Sequence, residues 1–168
     1  LESLFLFLYI YSMQNTPSFT VEEATRKLES YCAYQDRCHK EVVVKLKGMR
    51  MIPQAIDHII AHLIQENYLN EERFAQSYAR GKFKYKKWGR NRITTELKLR
   101  QISHYNIKTA LKEIEADYHT VFHELADKKW EQTQGLPPQK RKKKLLDYLL
   151  YRGWESHLIY EKINDLAS

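Results

Sequence analysis

Residues 96–111 read ELKLRQISHYNIKTAL, and the same register recurs as KLKGMRMIPQAIDHII at residues 45–60 and as YLLYRGWESHLIYEKI at residues 148–163. Superposing the three copies brings Leu46, Leu97 and Leu149 together, then Met51, Ile102 and Trp154, then Ile56, Ile107 and Ile159. One step upstream, Val42, Ile93 and Leu145 also coincide. In each copy the apolar positions keep helical spacing on both sides of a short break, which predicts two amphipathic helices joined by a tight turn. Any two amphipathic helices can be aligned by chance. Three matched pairs with equal intervening turns, at a period of about fifty residues, instead mark an internal repeat.

Working outward, each copy gains a third helix. Thr20 followed by Glu23 is a capping-box start for a first helix running to about Tyr34. The second runs from about His39 to Met49, and Pro53 opens the third at a position where its missing N–H does no harm. Asn70 begins the next helix, with Phe74 and Tyr78 turned inward. No run alternates with period two between turn residues, so no strand is predicted. Gln134-Gly135-Leu136-Pro137-Pro138 is the clear breaker, separating the first and second helices of the last copy. The expected units are residues 20–69, 70–116 and 117–168, after an N-terminal extension of residues 1–19. A three-helix unit of that size buries little core alone, so neighbours must stack. The predicted fold is all-α: three tandem three-helix repeats stacked into an elongated, curved rod.

Composition agrees. The chain has 168 residues, 43% of them hydrophobic, with five Gly and four Pro, which leaves little room for long disorder or a turn-rich β-sandwich. Cys32 and Cys38 are too few for a disulfide framework, have no usual metal-ligand spacing, and fit a reducing compartment. The apolar run at residues 4–11 falls well short of the ~20 residues a membrane span needs, and no signal-peptide pattern surrounds it. We expect translation to begin at Met13, with residues 1–12 not native.

Charge is unevenly shared. The net charge is +7, which points to an acidic partner such as nucleic acid or an acidic protein groove. Residues 20–69 carry seven Lys/Arg against seven Asp/Glu, and residues 117–168 carry nine against eight. Residues 70–116 carry twelve against five, so the basic excess sits on the middle unit. Solubility alone would not require that concentration. Lys82, Lys84, Lys86, Lys87, Arg90 and Arg92 cluster around Gly89, which is expected to end one helix and permit the turn into the next. Arg90 and Arg92 would then oppose the dipole of the following helix, a conflict of about 0.3–1 kcal/mol if exposed. Such conflicts are expected where function overrides stability. Lys98 and Arg100 extend the candidate surface, and Lys140, Arg141, Lys142, Lys143 and Lys144 form a secondary basic run at the equivalent place in the last unit.

Phe83, Tyr85 and Trp88 lie between these cations, a mixture that can bind phosphates and bases. On an amphipathic helix, however, Phe83 and Trp88 read better as core, leaving the cations as the contact surface. His58 with His62, and His119 with His123, have a chelating spacing but no HExxH pattern and no third ligand, so they read as surface histidines. No Gly-rich phosphate loop, GxSxG elbow or CxxC pair is present, and the carboxylates are scattered. Neither catalysis nor a cofactor or metal is predicted.

Residues 67–75, Asn-Tyr-Leu-Asn-Glu-Glu-Arg-Phe-Ala, resemble the Gly-Tyr-Leu-Asp-Asp-Glu-Arg-Phe-Ala of the RecX regulatory proteins of bacteria. Residues 89–97, Gly-Arg-Asn-Arg-Ile-Thr-Thr-Glu-Leu, are similar to that family's Gly-x-x-Arg-Ile-x-x-Glu-Leu. Residues 36–46 resemble its Asp-Arg-Ser-x-x-Glu-Leu-x-x-Lys-Leu, with Cys38 in place of the capping Ser. That replacement weakens the cap by ~1 kcal/mol if no other group substitutes. Asn67 replaces a Gly but still tolerates a left-handed conformation. The resemblance runs from about residue 20 to the end and is most specific in the middle unit.

The resemblance implies three tandem three-helix units and a non-enzymatic regulator of the RecA recombinase. Such a protein binds the RecA filament on single-stranded DNA along its groove and limits extension or promotes disassembly. It suppresses recombinase, ATPase and coprotease activity, and so modulates recombination, DNA repair and the SOS response. A cytoplasmic monomer with no membrane partner is expected. The alternative is a DNA-binding protein that acts on nucleic acid without RecA.

Overall fold

The computed structural model describes residues 19–167, and every described element is helical. The expected start at Met13 lies outside the described residues. The helices are α1 (Val21–Tyr34), α2 (His39–Gly48), α3 (Pro53–Gln65), α4 (Glu71–Lys86), α5 (Arg90–Leu99), α6 (His104–Lys112), α7 (Tyr118–Glu131), α8 (Pro138–Tyr151) and α9 (Ser156–Ala167). Helix backbones approach one another most closely within successive triplets: α1 on α3, α4 on α6, and α8 on both α7 and α9.

Local sequence explains the starts. Thr20 Oγ1 accepts from the Glu23 N–H at 3.1 Å while the Thr20 N–H donates to Glu23 Oε2 at 2.9 Å, completing the capping box of α1. Pro53 occupies the first turn of α3, and Asn70 Oδ1 accepts from the Arg73 N–H at 2.9 Å to cap α4.

The repeat has a backbone cause. After the second helix of each triplet one residue turns left-handed: Arg50 at φ 60°, Gln101 at 63° and Gly153 at 80°. The next N–H then reaches back to the carbonyl five residues earlier, from Met51 to Leu46, Ile102 to Leu97 and Trp154 to Leu149, each at 3.1 Å. Arg50 to Lys47, Gln101 to Lys98 and Gly153 to Leu150 supply the inner bond, each at 2.9 Å. This is the Schellman motif, which brings an apolar residue past the helix end onto one in its last turn. Leu46, Leu97 and Leu149 are fully buried, as are Val42, Ile93 and Leu145, and Ile56, Ile107 and Ile159 are nearly so. Ile102 and Trp154 are buried and Met51 packs partly buried. Each buried aliphatic side chain contributes roughly 1.5–3 kcal/mol.

The chain divides into two compact units, residues 36–40 grouping with the second rather than with their neighbours in sequence. The first has α1, α3 and most of α2 around Leu28, Leu46, Ile59 and Leu63. The second holds α4 to α9 around one core in which Phe83, Tyr118, Phe122 and Trp154 meet. Trp154 lies 4.6 Å from the Tyr118 ring and 5.2 Å from Phe122, centroid to centroid. Cys32 is buried in the first core and Cys38 in the second.

Gly89 does not work as its place in the sequence suggests. α4 continues to Lys86, and Lys87 takes the left-handed conformation at φ 54°. Gly89 is extended, at φ −80° and ψ 174°, and caps the start of α5. Its missing side chain serves close approach: a Cβ there would stand 2.4 Å from the Gly153 carbonyl oxygen.

Candidate functional site

The cations singled out in the sequence fall into distinct environments. Lys84, Lys86 and Lys98 are exposed, whereas Lys82, Lys87, Arg90, Arg92 and Arg100 are half-buried. Several of the half-buried group form a row alternating with rings on the second unit. Arg100 lies 4.9 Å from the Tyr78 ring, and Lys82 stands 5.1 Å from Tyr78 and 5.3 Å from Trp88. Arg92 then lies 4.2 Å from Trp88 and 4.5 Å from Tyr151, donating Nη1 to the Tyr151 carbonyl at 2.7 Å. The order Arg100, Tyr78, Lys82, Trp88, Arg92, Tyr151 thus runs from the end of α5 across α4 and the turn to the end of α8. Each cation–π contact of this half-exposed kind contributes about 0.5–1 kcal/mol and fixes a side chain that would otherwise sample many rotamers.

Arg90 has a different post. Its guanidinium lies 3.9 Å from the Tyr118 ring and 3.4 Å from Glu155 Oε1. Its backbone N–H donates to Tyr118 Oη at 2.9 Å, and that hydroxyl donates to Glu155 Oε2 at 2.6 Å. Burial first, and then the bond to Glu155, pushes the Tyr118 phenol far above its ordinary range. Beside it, Gly89 N–H donates to Arg152 O at 2.8 Å and Asn91 N–H to Gly153 O at 3.0 Å. Of the first N–H groups of α5, orphans by helix geometry, that of Arg90 is thus capped by the Tyr118 hydroxyl and that of Asn91 by a carbonyl at the end of α8. Those carbonyls and Glu155 also offset the clash between the α5 dipole and the arginines at its start.

Of the secondary run, Lys140 and Lys144 are exposed and Lys143 pairs with Asp147 at 2.7 Å. Lys142 is half-buried. Arg141 turns back onto α7, 3.8 Å from the Trp130 ring, and donates to Trp130 O at 3.2 Å. Phe83 is core, Trp88 is partly buried against it, and Tyr85 is 75% exposed. Of the histidines, His62 Nε2 lies 2.7 Å from Glu29 Oε1. No group of three potential metal ligands occurs among the described residues.

Sequence reasoning missed Tyr78, Tyr151, Tyr118 and Glu155. Tyr78 had a usable signal, lying four residues before Lys82 on one helix face. The others meet the basic stretch only through the joint between the second and third triplets. What the arrangement can do is present fixed positive charge to an extended anionic partner, with the exposed lysines alongside it. Among the described residues no helix is long and apolar enough to cross a membrane.

The chain is similar to known proteins in both sequence and fold. The family description "RecX, second three-helix domain" matches residues 70–111, and "RecX, third three-helix domain" matches residues 116–163. A "Regulatory protein RecX" of Serratia proteamaculans is 34% identical over 116 residues, covering 68% of this chain and 67% of that protein. One from Yersinia pseudotuberculosis is 36% identical over 103 residues, but the match spans only 55% of its length. Among solved structures, "Crystal structure of regulatory protein RecX" superposes at TM-score 0.72 with 24% identity over 86% of this chain and 74% of that one. "Crystal structure of RecX from Lactobacillus salivarius" superposes at TM-score 0.72 with 23% identity over 87% of this chain and 96% of that one, a likeness of fold.

Proposed function

The chain belongs to the RecX family, and from that premise we propose that it is a regulatory protein acting by stoichiometric binding to the RecA–single-stranded DNA filament. Binding there inhibits recombinase, ATPase and coprotease activity, and so modulates recombination, DNA repair and the SOS response. The protein acts as a cytoplasmic monomer through repeats at residues 20–69, 70–116 and 117–168. The observation that carries the reading is the basic excess on the middle repeat, with Lys84, Lys86 and Lys98 exposed beside the cation–ring row. An extended array of charge suits a filament that repeats the same acidic features along its length. RecA ATPase on single-stranded DNA, titrated with this protein and with a Lys84→Glu/Lys86→Glu/Lys98→Glu variant, tests it. Inhibition by the parent chain and its loss in the folded variant are expected. A parent chain without effect sinks the reading, and an equally inhibitory variant sinks the site.

A second reading, direct action on nucleic acid without RecA, is favoured by one observation: Tyr151 is 70% exposed at the end of the row and could receive a base. Steep salt dependence on bare single strands supports it. Tight binding to RecA-coated strands with none to bare ones removes it.

A further inference from the structure

We propose that the third triplet carries a separate binding groove for an acidic peptide segment of a partner protein, one that alternates carboxylates with an apolar side chain. The groove is a cavity of about 460 Å³ along α7 and α8. That volume is within the roughly 300–1,000 Å³ range of functional pockets. Lys87, Lys128 and Lys129 line it, against Glu124 as the one carboxylate of its wall among the described residues. Lys87 is placed there by its left-handed backbone, and its carbonyl accepts from Trp154 Nε1 at 3.1 Å, so this lysine stands on a fixed main chain. Arg152 adds a further positive charge, its guanidinium 3.8 Å from the ring of Tyr148, which itself lines the groove. The Arg152 Nε is shielded from solvent and has no hydrogen-bond partner among the described residues.

The occupant follows from what the walls offer. Carboxylates match a wall with three ammonium groups and one acid, by charge complementarity. Val121 and Leu125 form an aliphatic wall that would desolvate an apolar side chain between those carboxylates. A nucleic acid fits less well. Lys129, at 4.8 Å, and Arg152 are both held over the Tyr148 ring, which leaves it no role as a base-stacking platform. Lys87 thus separates from the other lysines of its run and serves a different surface. The inference does not depend on the filament reading, since the probes below contain no RecA.

The test is a nuclear magnetic resonance titration of the whole chain with a synthetic peptide alternating Glu and Leu. A peptide with Gln for Glu and an oligothymidylate serve as comparison probes. The acidic peptide is expected to shift the amides of Val121, Leu125 and Tyr148, with the Gln peptide at least about tenfold weaker, or 1.4 kcal/mol. Lys128→Glu with Lys129→Glu should weaken the acidic peptide by about tenfold or more, while the charge-matched Lys47→Glu with Lys108→Glu, both exposed and neither lining the groove, leaves it unchanged. Equal binding of the Gln peptide, loss of affinity in the Lys47→Glu/Lys108→Glu variant to the same degree, or displacement of the peptide from these amides by oligothymidylate would each overturn the proposal. So would the absence of any shift at the groove.

Discussion

Gly89 and Gly153 touch main chain to main chain: a Cβ on Gly153 would stand 2.3 Å from the Arg92 nitrogen, and one on Gly89 would meet the Gly153 carbonyl. Contacts under 3 Å against backbone cannot be relieved by a side-chain rotation. Gly89→Ala is therefore expected to destabilise the second unit by about 3 kcal/mol. Gly153→Ala should cost at least as much, because its φ of 80° is also unfavourable for alanine. Gly81→Ala, in α4 with nothing among the described residues within 4 Å of the added carbon, should instead stabilise. The gain is about 0.5–1 kcal/mol. Urea midpoints of the three variants check the ordering.

The two non-glycine members of the repeated helix ending give a complementary test. Arg50 and Gln101 hold the left-handed conformation that Gly153 holds in the last triplet. Arg50→Gly and Gln101→Gly are each expected to stabilise by about 0.5–1 kcal/mol, less than the full 1–2 kcal/mol strain because glycine gains entropy when unfolded. A fall in unfolding midpoint for both would contradict the assignment of that motif.

Tyr118 links stability to pH. Burial and its bond to Glu155 raise the phenol pKa, so the folded chain keeps a proton that the unfolded chain loses near about pH 10. The contribution is full below that pH and decays as pH rises above it. Tyr118→Phe leaves the Arg90 N–H and the Glu155 carboxylate without the hydroxyl, and should cost about 1–3 kcal/mol at neutral pH. The gap between parent and variant should narrow through the alkaline range. Two parallel stability curves would show that the hydroxyl is not the titrating link.

Charge and structure should separate at the basic stretch. Arg92→Ala loses two ring contacts and a charge-assisted bond to Tyr151, and is expected to destabilise by about 2 kcal/mol. Lys84→Ala and Lys86→Ala, both exposed, should stay within about 0.5 kcal/mol of the parent. Thermal unfolding of the three single variants reads this directly.

Much of the fold was legible because its causes are local. The capping box at Thr20, Pro53 at the head of α3 and the Leu46, Leu97, Leu149 register all depend on neighbours a few residues away. The division of labour among the cations was not legible. Arg90 finds Glu155 and Arg92 finds the Tyr151 carbonyl across sequence separations of 65 and 59 residues, so no helical pattern announces them. Gly89 misled for a related reason: its need for space arises from Gly153, not from its own dihedral angles. The lysines that remain exposed were identified with the rest, but composition alone could not sort them.

The capping of α5 by the carbonyls of Arg152 and Gly153 has a consequence for inheritance as well as for stability. Main-chain donors and acceptors are common to almost every residue type, so side chains around the joint can drift without dissolving it. The main-chain bonds of the joint are insulated from most side-chain changes and exposed at two glycines, whereas the Tyr118 and Arg92 contacts across it are not. A truncation that ends before α8 would strip the second triplet of its own helix cap. The middle repeat, which carries the basic excess, is thus not a transplantable module, and a lineage could shed its third repeat only by inventing a new start for α5.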